Sequence, residues 1–83
     1  VTVENTFGLH ARTAARIAKV AEGARGRVII EKDGESADAT SILDILMLHC
    51  PMGSTITISV DTPDDINILE SIERLIKKKL GES

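Results

Sequence analysis

The sequence predicts an α+β open-faced sandwich, four mostly antiparallel strands with three helices on one face, in the order β-α-β-β-α-β-α. Three observations carry that reading. Ala14, Ile17, Ala18 and Ala21 recur at helical spacing, as do Ile68, Leu69, Ile72, Leu75, Ile76 and Leu80. Thr55-Ile56-Thr57-Ile58-Ser59-Val60 alternates strictly, as a half-buried strand does. Asp33-Gly34 separates a β-branched run from a more polar one, the signature of a tight hairpin.

Each element follows in order. Val1-Thr2-Val3 reads as a short first strand, and Glu4 to Leu9 as a loop containing Gly8. A helix runs from Ala11 to about Ala21, ended by Gly23 and Gly26. Arg27 to Lys32 and Glu35 to Ala39 form the hairpin strands. Ile42 to Leu48 is a short apolar helix, started by the hydroxyl of Thr40 or Ser41 and stopped by Pro51 and Gly53. Asp44 would complete a weak capping box with Ser41. After the alternating strand, Thr62 caps the last helix, Pro63 sits in its first turn, and Asp64 and Asp65 meet its positive end. Lys77, Lys78 and Lys79 suit its negative end, and Gly81 closes it.

Eighty-three residues at 42% hydrophobic content make one small domain, residues 1–83, and not a disordered segment. The lone Cys50 excludes an internal disulfide framework and fits a reducing cytoplasm. Cys50, His10 and His49 are too few for a structural zinc site, so no metal or other cofactor is expected. No apolar run reaches the length of a membrane span, and no signal segment opens the chain. Val1 in place of an initiator methionine reads as a chain trimmed, processed or cut from something longer.

Net charge is −3, unevenly spread. Residues 1–32 hold six bases and three acids, whereas residues 33–83 hold four bases and ten acids. The amino-terminal part therefore carries a local positive surface on an acidic protein. The only aromatic residue is Phe7, too little for stacking single-stranded bases, and a duplex reader would be basic overall. Nucleic acid is not an expected partner.

The chemistry concentrates at Gly8-Leu9-His10-Ala11-Arg12-Thr13. The first turn of a helix leaves backbone N–H donors without intrahelical acceptors. None of the usual capping residues precedes Ala11, so the amides of Ala11 and Arg12, the positive helix end and the Arg12 guanidinium combine as an anion site. A neutral histidine ring beside it is a nucleophile able to take a phosphoryl group. Gly8 allows the sharp turn that aims the ring. The plainer reading makes His10 a cap or a solvated side chain, with Thr13 capping a helix that starts later.

Gly8-Leu9-His10-Ala11-Arg12 followed by Ala14-Ala15 resembles the active-site segment of the HPr family, the histidine-containing phosphocarriers of the bacterial phosphoenolpyruvate-dependent sugar phosphotransferase system. Ser41-Ile42-Leu43 through Met52-Gly53, with Ile56-Thr57-Ile58-Ser59, resembles that family's second motif, and the likeness spans the chain. The resemblance implies that His10 accepts phosphate on Nδ1 from enzyme I, that Arg12 stabilises the transferred group, and that IIA-type domains receive it. Such a protein is a transfer intermediate rather than an enzyme acting on a small molecule, and it is expected as a monomer. Ser41 matches the serine that a dedicated kinase modifies in some bacteria. The alternative it raises is a regulatory binding module acting through Ser41 in carbon or nitrogen control.

The sequence departs from the family pattern at four places. Thr13 stands where proline is usual, Phe7 where a small polar residue precedes the glycine, and Asp44 and His49 where glycine is common. Leu43, Leu46 and Met47 crowd a helix too short to bury every side, which predicts an apolar docking patch, with Leu46 divided between patch and core. Arg16, Lys19 and Arg27 would steer acidic partners toward it, unless they are only a solvated face.

Overall fold

The structure is a computed structural model that describes residues 1–77. The expectations for Lys78, Lys79, Leu80 and Gly81 lie outside the described residues. Helix α1 (Ala11–Ala21) is followed by strands β1 (Val28–Lys32) and β2 (Glu35–Asp38), helix α2 (Ile42–Met47), strand β3 (Thr57–Val60) and helix α3 (Ile66–Lys77). A 3-10 turn at Pro63–Asp65 leads into α3.

The sheet is antiparallel in the order β2-β1-β3. Ile30 of β1 sits opposite Ala37 of β2 and Ile58 of β3, and Val28 sits opposite Val60. Side chains alternate across a strand, so these residues share one face. That face meets Ala14 and Ile17 of α1, Ile45 of α2, and Ile72 and Ile76 of α3 in one core. Burying each large aliphatic side chain of this kind contributes about 1.5–3 kcal/mol. The helices therefore lie on one side of the sheet, as the α+β sandwich requires.

The first strand is shorter than its pattern suggests. It is reduced to a single antiparallel bridge, Thr2 opposite Thr55. Four backbone hydrogen bonds nevertheless tie Val1 and Val3 to Gly53, Ser54 and Ile56. The amino-terminal segment thus supplies the fourth strand position, pairing just ahead of β3. The hairpin turn has φ +51 at Asp33 and +83 at Gly34, the two successive positive values of a type I′ turn.

Three local expectations are corrected. The helix stops before Pro51 and Gly53, which the sequence assigned as its stop: it ends at Met47 with Leu48 as its cap, and His49 (φ +54) turns the chain directly after. Lys32 Nζ donates to the carbonyls of Leu48 and His49, so a cation gathers the helix's last acceptors. The capping box does not form. Ser41 Oγ accepts from Asp44 N at 3.2 Å, but Ser41 N donates to the Asp38 carbonyl instead of to Asp44. Asp65 does not face the solvent at the start of α3. It is buried, and its carboxylate accepts from Arg25 N and Gly26 N at 2.9 and 2.8 Å. Those two backbone hydrogen bonds hold the Asp65 carboxyl below the usual carboxylate range. They also pin the α1–β1 connection to α3. Thr62 caps as expected, its Oγ1 accepting from Asp64 N. Among the described residues no helix is long and apolar enough to cross a membrane.

Candidate functional site

The loop ahead of α1 is held by its backbone. Asn5 is buried; its Oδ1 accepts from Phe7 N and its carbonyl from Gly8 N. Leu9 N donates to the Cys50 carbonyl at 2.9 Å, laying the loop across the chain just beyond α2. Gly8 has φ +68, and a Cβ there would stand 2.4 Å from the Cys50 carbonyl oxygen. No side chain fits, so glycine is required for conformation and for space. Burial pushes the Cys50 thiol up against the pull of Lys32, which leaves it a protonated packing group at neutral pH.

His10 follows this turn in extended backbone, φ −92 and ψ 179, and is itself the cap of α1. Its Nδ1 accepts from Arg12 N at 3.3 Å, on the exposed side. Its Nε2 lies 3.2 Å from Thr13 Oγ1, in a part-buried contact. The expectation of uncapped donors thus needs correction: the imidazole takes the place of the missing Ser, Thr, Asp or Asn, and the Arg12 amide is bonded to it. Thr13 neither starts the helix nor competes for its amides. It is buried in the first turn with its hydroxyl against the ring.

The hydrogen-bonding logic assigns the ring's proton. A backbone N–H only donates, so Nδ1 must accept, and in a neutral imidazole the proton then resides on Nε2. The nucleophilic lone pair is therefore on Nδ1, at the exposed edge beside the positive end of α1 and the amide of Arg12. Ala11 and Arg12 are exposed, and the first turn holds no acidic residue. Arrayed this way, the site suits a nucleophile that must approach a phosphoryl group without repelling its oxygens.

Of the remaining predicted residues, Ser41 caps α2 and belongs to a second helix mouth. Asp38 prepares that mouth by accepting from both Thr40 N and Thr40 Oγ1. The hydrogen bonds from Thr40 hold its carboxyl below the ordinary range. Leu43 and Met47, one turn apart on α2, are 66% and 63% exposed, so a largely uncovered apolar strip exists there. Leu46 is half-buried against the core, which resolves its double assignment toward packing. Arg16 is exposed on α1.

Sequence reasoning gave no surface role to two further residues. Phe7 and Met52 flank the contact of Gly8 with Cys50 and Pro51, and both are more than half exposed. The Phe7 ring meets the His10 ring edge-on, with centroids 6.2 Å apart. Their hydrophobicity without periodicity was the only signal for a surface role. Among the described residues no three His, Cys, Asp or Glu side chains gather as metal ligands.

Comparison with known proteins gives the family. The family described as "PTS HPr component phosphorylation site" matches residues 1–78. The phosphocarrier protein HPr of Cupriavidus necator is 35% identical over 81 residues, 98% of this chain and 91% of the relative. The phosphocarrier protein NPr of Shewanella violacea is 36% identical over 83 residues, 100% of this chain and 91% of the relative. The crystal structure of HPr from Bacillus anthracis superposes with a TM-score of 0.85 at 35% identity, covering 93% of this chain and 92% of that one. A match in sequence and in fold over nearly the whole chain leaves one assignment: the protein belongs to the HPr phosphocarrier family of the phosphotransferase system.

Proposed function

We propose that this chain is a cytoplasmic phosphocarrier domain that accepts a phosphoryl group on His10 Nδ1 from phosphorylated enzyme I and passes it to a IIA-type domain. The observation that carries the reading is the Nδ1 contact with Arg12 N at the exposed start of α1. The lone pair that caps the helix is the one that attacks. The donor's bond to phosphorus breaks as the bond from Nδ1 forms, and the electron pair returns to the donor's leaving atom. Nε2 keeps its proton, so no proton need leave the ring. The Arg12 amide, released from Nδ1, then faces an oxygen of the attached phosphoryl group. The Arg12 guanidinium adds charge-assisted donors for that group. Transfer of this kind proceeds through a loose, in-line transition state, in which positioning and charge stabilisation are the protein's main contribution. Onward transfer reverses the same steps.

Leu43, Met47, Phe7 and Met52 form the apolar docking surface in this reading, with Arg16 at its basic side. Ser41 is a regulatory position: a phosphate there sits at the positive end of α2, and its charge opposes docking of a partner. The test uses phosphoenolpyruvate, enzyme I and the protein. An acid-labile, alkali-stable phosphate is expected on the native chain and none on His10→Ala. Phosphate persisting on His10→Ala overturns the role of His10. If no phosphate forms with any enzyme I of the system, the regulatory module acting through Ser41 replaces the carrier.

A further inference from the structure

We propose that Thr13 is a positioning residue for His10: with the Arg12 amide selecting the tautomer, the Thr13 hydroxyl oxygen accepts a hydrogen bond from Nε2–H and so holds the plane of the ring with the Nδ1 lone pair outward. The inference rests on the phosphocarrier reading for its consequence, but not for its geometry. Two contacts grip the imidazole from opposite edges, Arg12 N on Nδ1 at 3.3 Å and Thr13 Oγ1 on Nε2 at 3.2 Å. The first can only donate, so the second has to accept. The reverse tautomer would set an Nδ1–H against the Arg12 N–H, so the Arg12 amide selects the tautomer, and the Thr13 hydroxyl, able to donate or accept, takes the acceptor's part and holds the ring's plane. Thr13 is 5% exposed and belongs to α1, so its hydroxyl is held by packing rather than left to rotate with a loop.

The same contact serves the loaded state. Once phosphorus is bonded to Nδ1, the ring keeps its proton on Nε2 and gains positive character, and a hydrogen bond to a positively charged donor is stronger than one to a neutral donor. The hydroxyl therefore accompanies the ring through loading and unloading without taking its proton. Second-contact orientation of a histidine by a fixed acceptor follows the logic seen where imidazole binds a metal: the partner of one nitrogen decides what the other can do. Proline, usual at this position in the family, has no hydroxyl. This chain thus adds a side-chain partner for Nε2 where the common pattern offers only a rigid backbone.

The experiment compares the native chain with Thr13→Val and Thr13→Ser. Valine keeps the buried shape and branching and removes the acceptor; serine keeps the hydroxyl. Imidazole 15N spectra, recorded where the ring is neutral, read the hydrogen bond at Nε2 directly, with circular dichroism as the check on folding. Thr13→Val is expected to shift the Nε2 resonance as its acceptor is lost, with the tautomer still set by the Arg12 amide, and to slow phosphoryl acceptance about three- to tenfold, the range a single hydrogen bond supports. Thr13→Ser is expected to restore most of both. A slower Thr13→Val with an unchanged Nε2 resonance would make Thr13 merely structural and overturn the proposal, as would no change in either readout. If the native chain accepts no phosphate at all, the carrier reading falls, while the Nε2 spectra still decide whether Thr13 holds the ring.

Discussion

Two helix mouths in this protein are capped by different chemistry. At α1 the cap is the imidazole of His10, gripped on its second nitrogen by Thr13, beside Arg12 and without an acid in the first turn. At α2 the cap is the hydroxyl of Ser41, with Asp44 in the first turn and Asp38 tying down Thr40 just ahead. Both ends present the positive pole of a helix. Only the first joins that pole to a nucleophile and a guanidinium, and only the first is braced by a turn that no side chain can enter. The second already carries a carboxylate, Asp44, in its first turn. In the proposed function, one mouth receives a phosphoryl group in transfer and the other takes one as a modification.

The widest gap between the two mouths should appear on bracing. Gly8→Ala forces a Cβ toward the Cys50 carbonyl at positive φ, and is expected to cost about 2–3 kcal/mol of stability, read from the denaturant midpoint, and to impair phosphoryl acceptance. A midpoint that does not move would mean the loop ahead of α1 has room to relax, and the contrast in rigidity would fail. Ser41 separates capping from charge. Ser41→Ala is expected to cost about 1 kcal/mol of stability and leave transfer nearly intact. Ser41→Asp keeps an acceptor at the cap but should slow transfer from enzyme I about tenfold by opposing partner docking. Equal transfer by the two variants would remove the regulatory role of the α2 mouth.

The smallest effect concerns Asp38. Hydrogen bonds from Thr40 lower its carboxyl in the folded state, so its contribution is present above the unfolded value and is lost as pH falls through the folded one. Asp38 is exposed, and solvent screening limits that contribution to about a few tenths of a kcal/mol. Asp38→Asn should therefore flatten the acid limb of a stability–pH curve slightly and leave neutral-pH transfer by His10 unchanged. A steeper acid limb in the variant would reverse the sign and exclude this account of the α2 mouth.

Much of the fold was legible because its elements rest on local rules. Helical spacing gave a helix from Ala11 to about Ala21, alternation over Thr55 to Val60 contained the strand that pairs at Thr57–Val60, and Asp33-Gly34 named its own turn. The misreadings include one residue whose partner is distant in sequence and one whose type hides its part. Asp65 resembles any acid at a helix start, yet its carboxylate serves backbone amides about forty residues earlier. His49 is exposed and adopts the backbone conformation glycine favours, at a position where the family resemblance already leads one to expect glycine. At the site, His10 and Arg12 were visible as residue types at a helix start. The absence of a standard capping residue was read as an open mouth, whereas the histidine itself was the cap.

The sequence alone determined the order of the elements, the apolar faces of the first and last helices and the presence of a histidine beside an arginine where a helix begins, since each follows from periodicity and from residue chemistry along a few neighbouring positions. Tertiary structure alone decided which nitrogen of that histidine is outward and which is held. That depends on the Gly8 turn seating itself on the Cys50 carbonyl, and on burial of Thr13 bringing its hydroxyl to the ring. A hydrogen bond is directional, and its direction is set by the packing of segments some forty residues apart, so no reading along the chain supplies it.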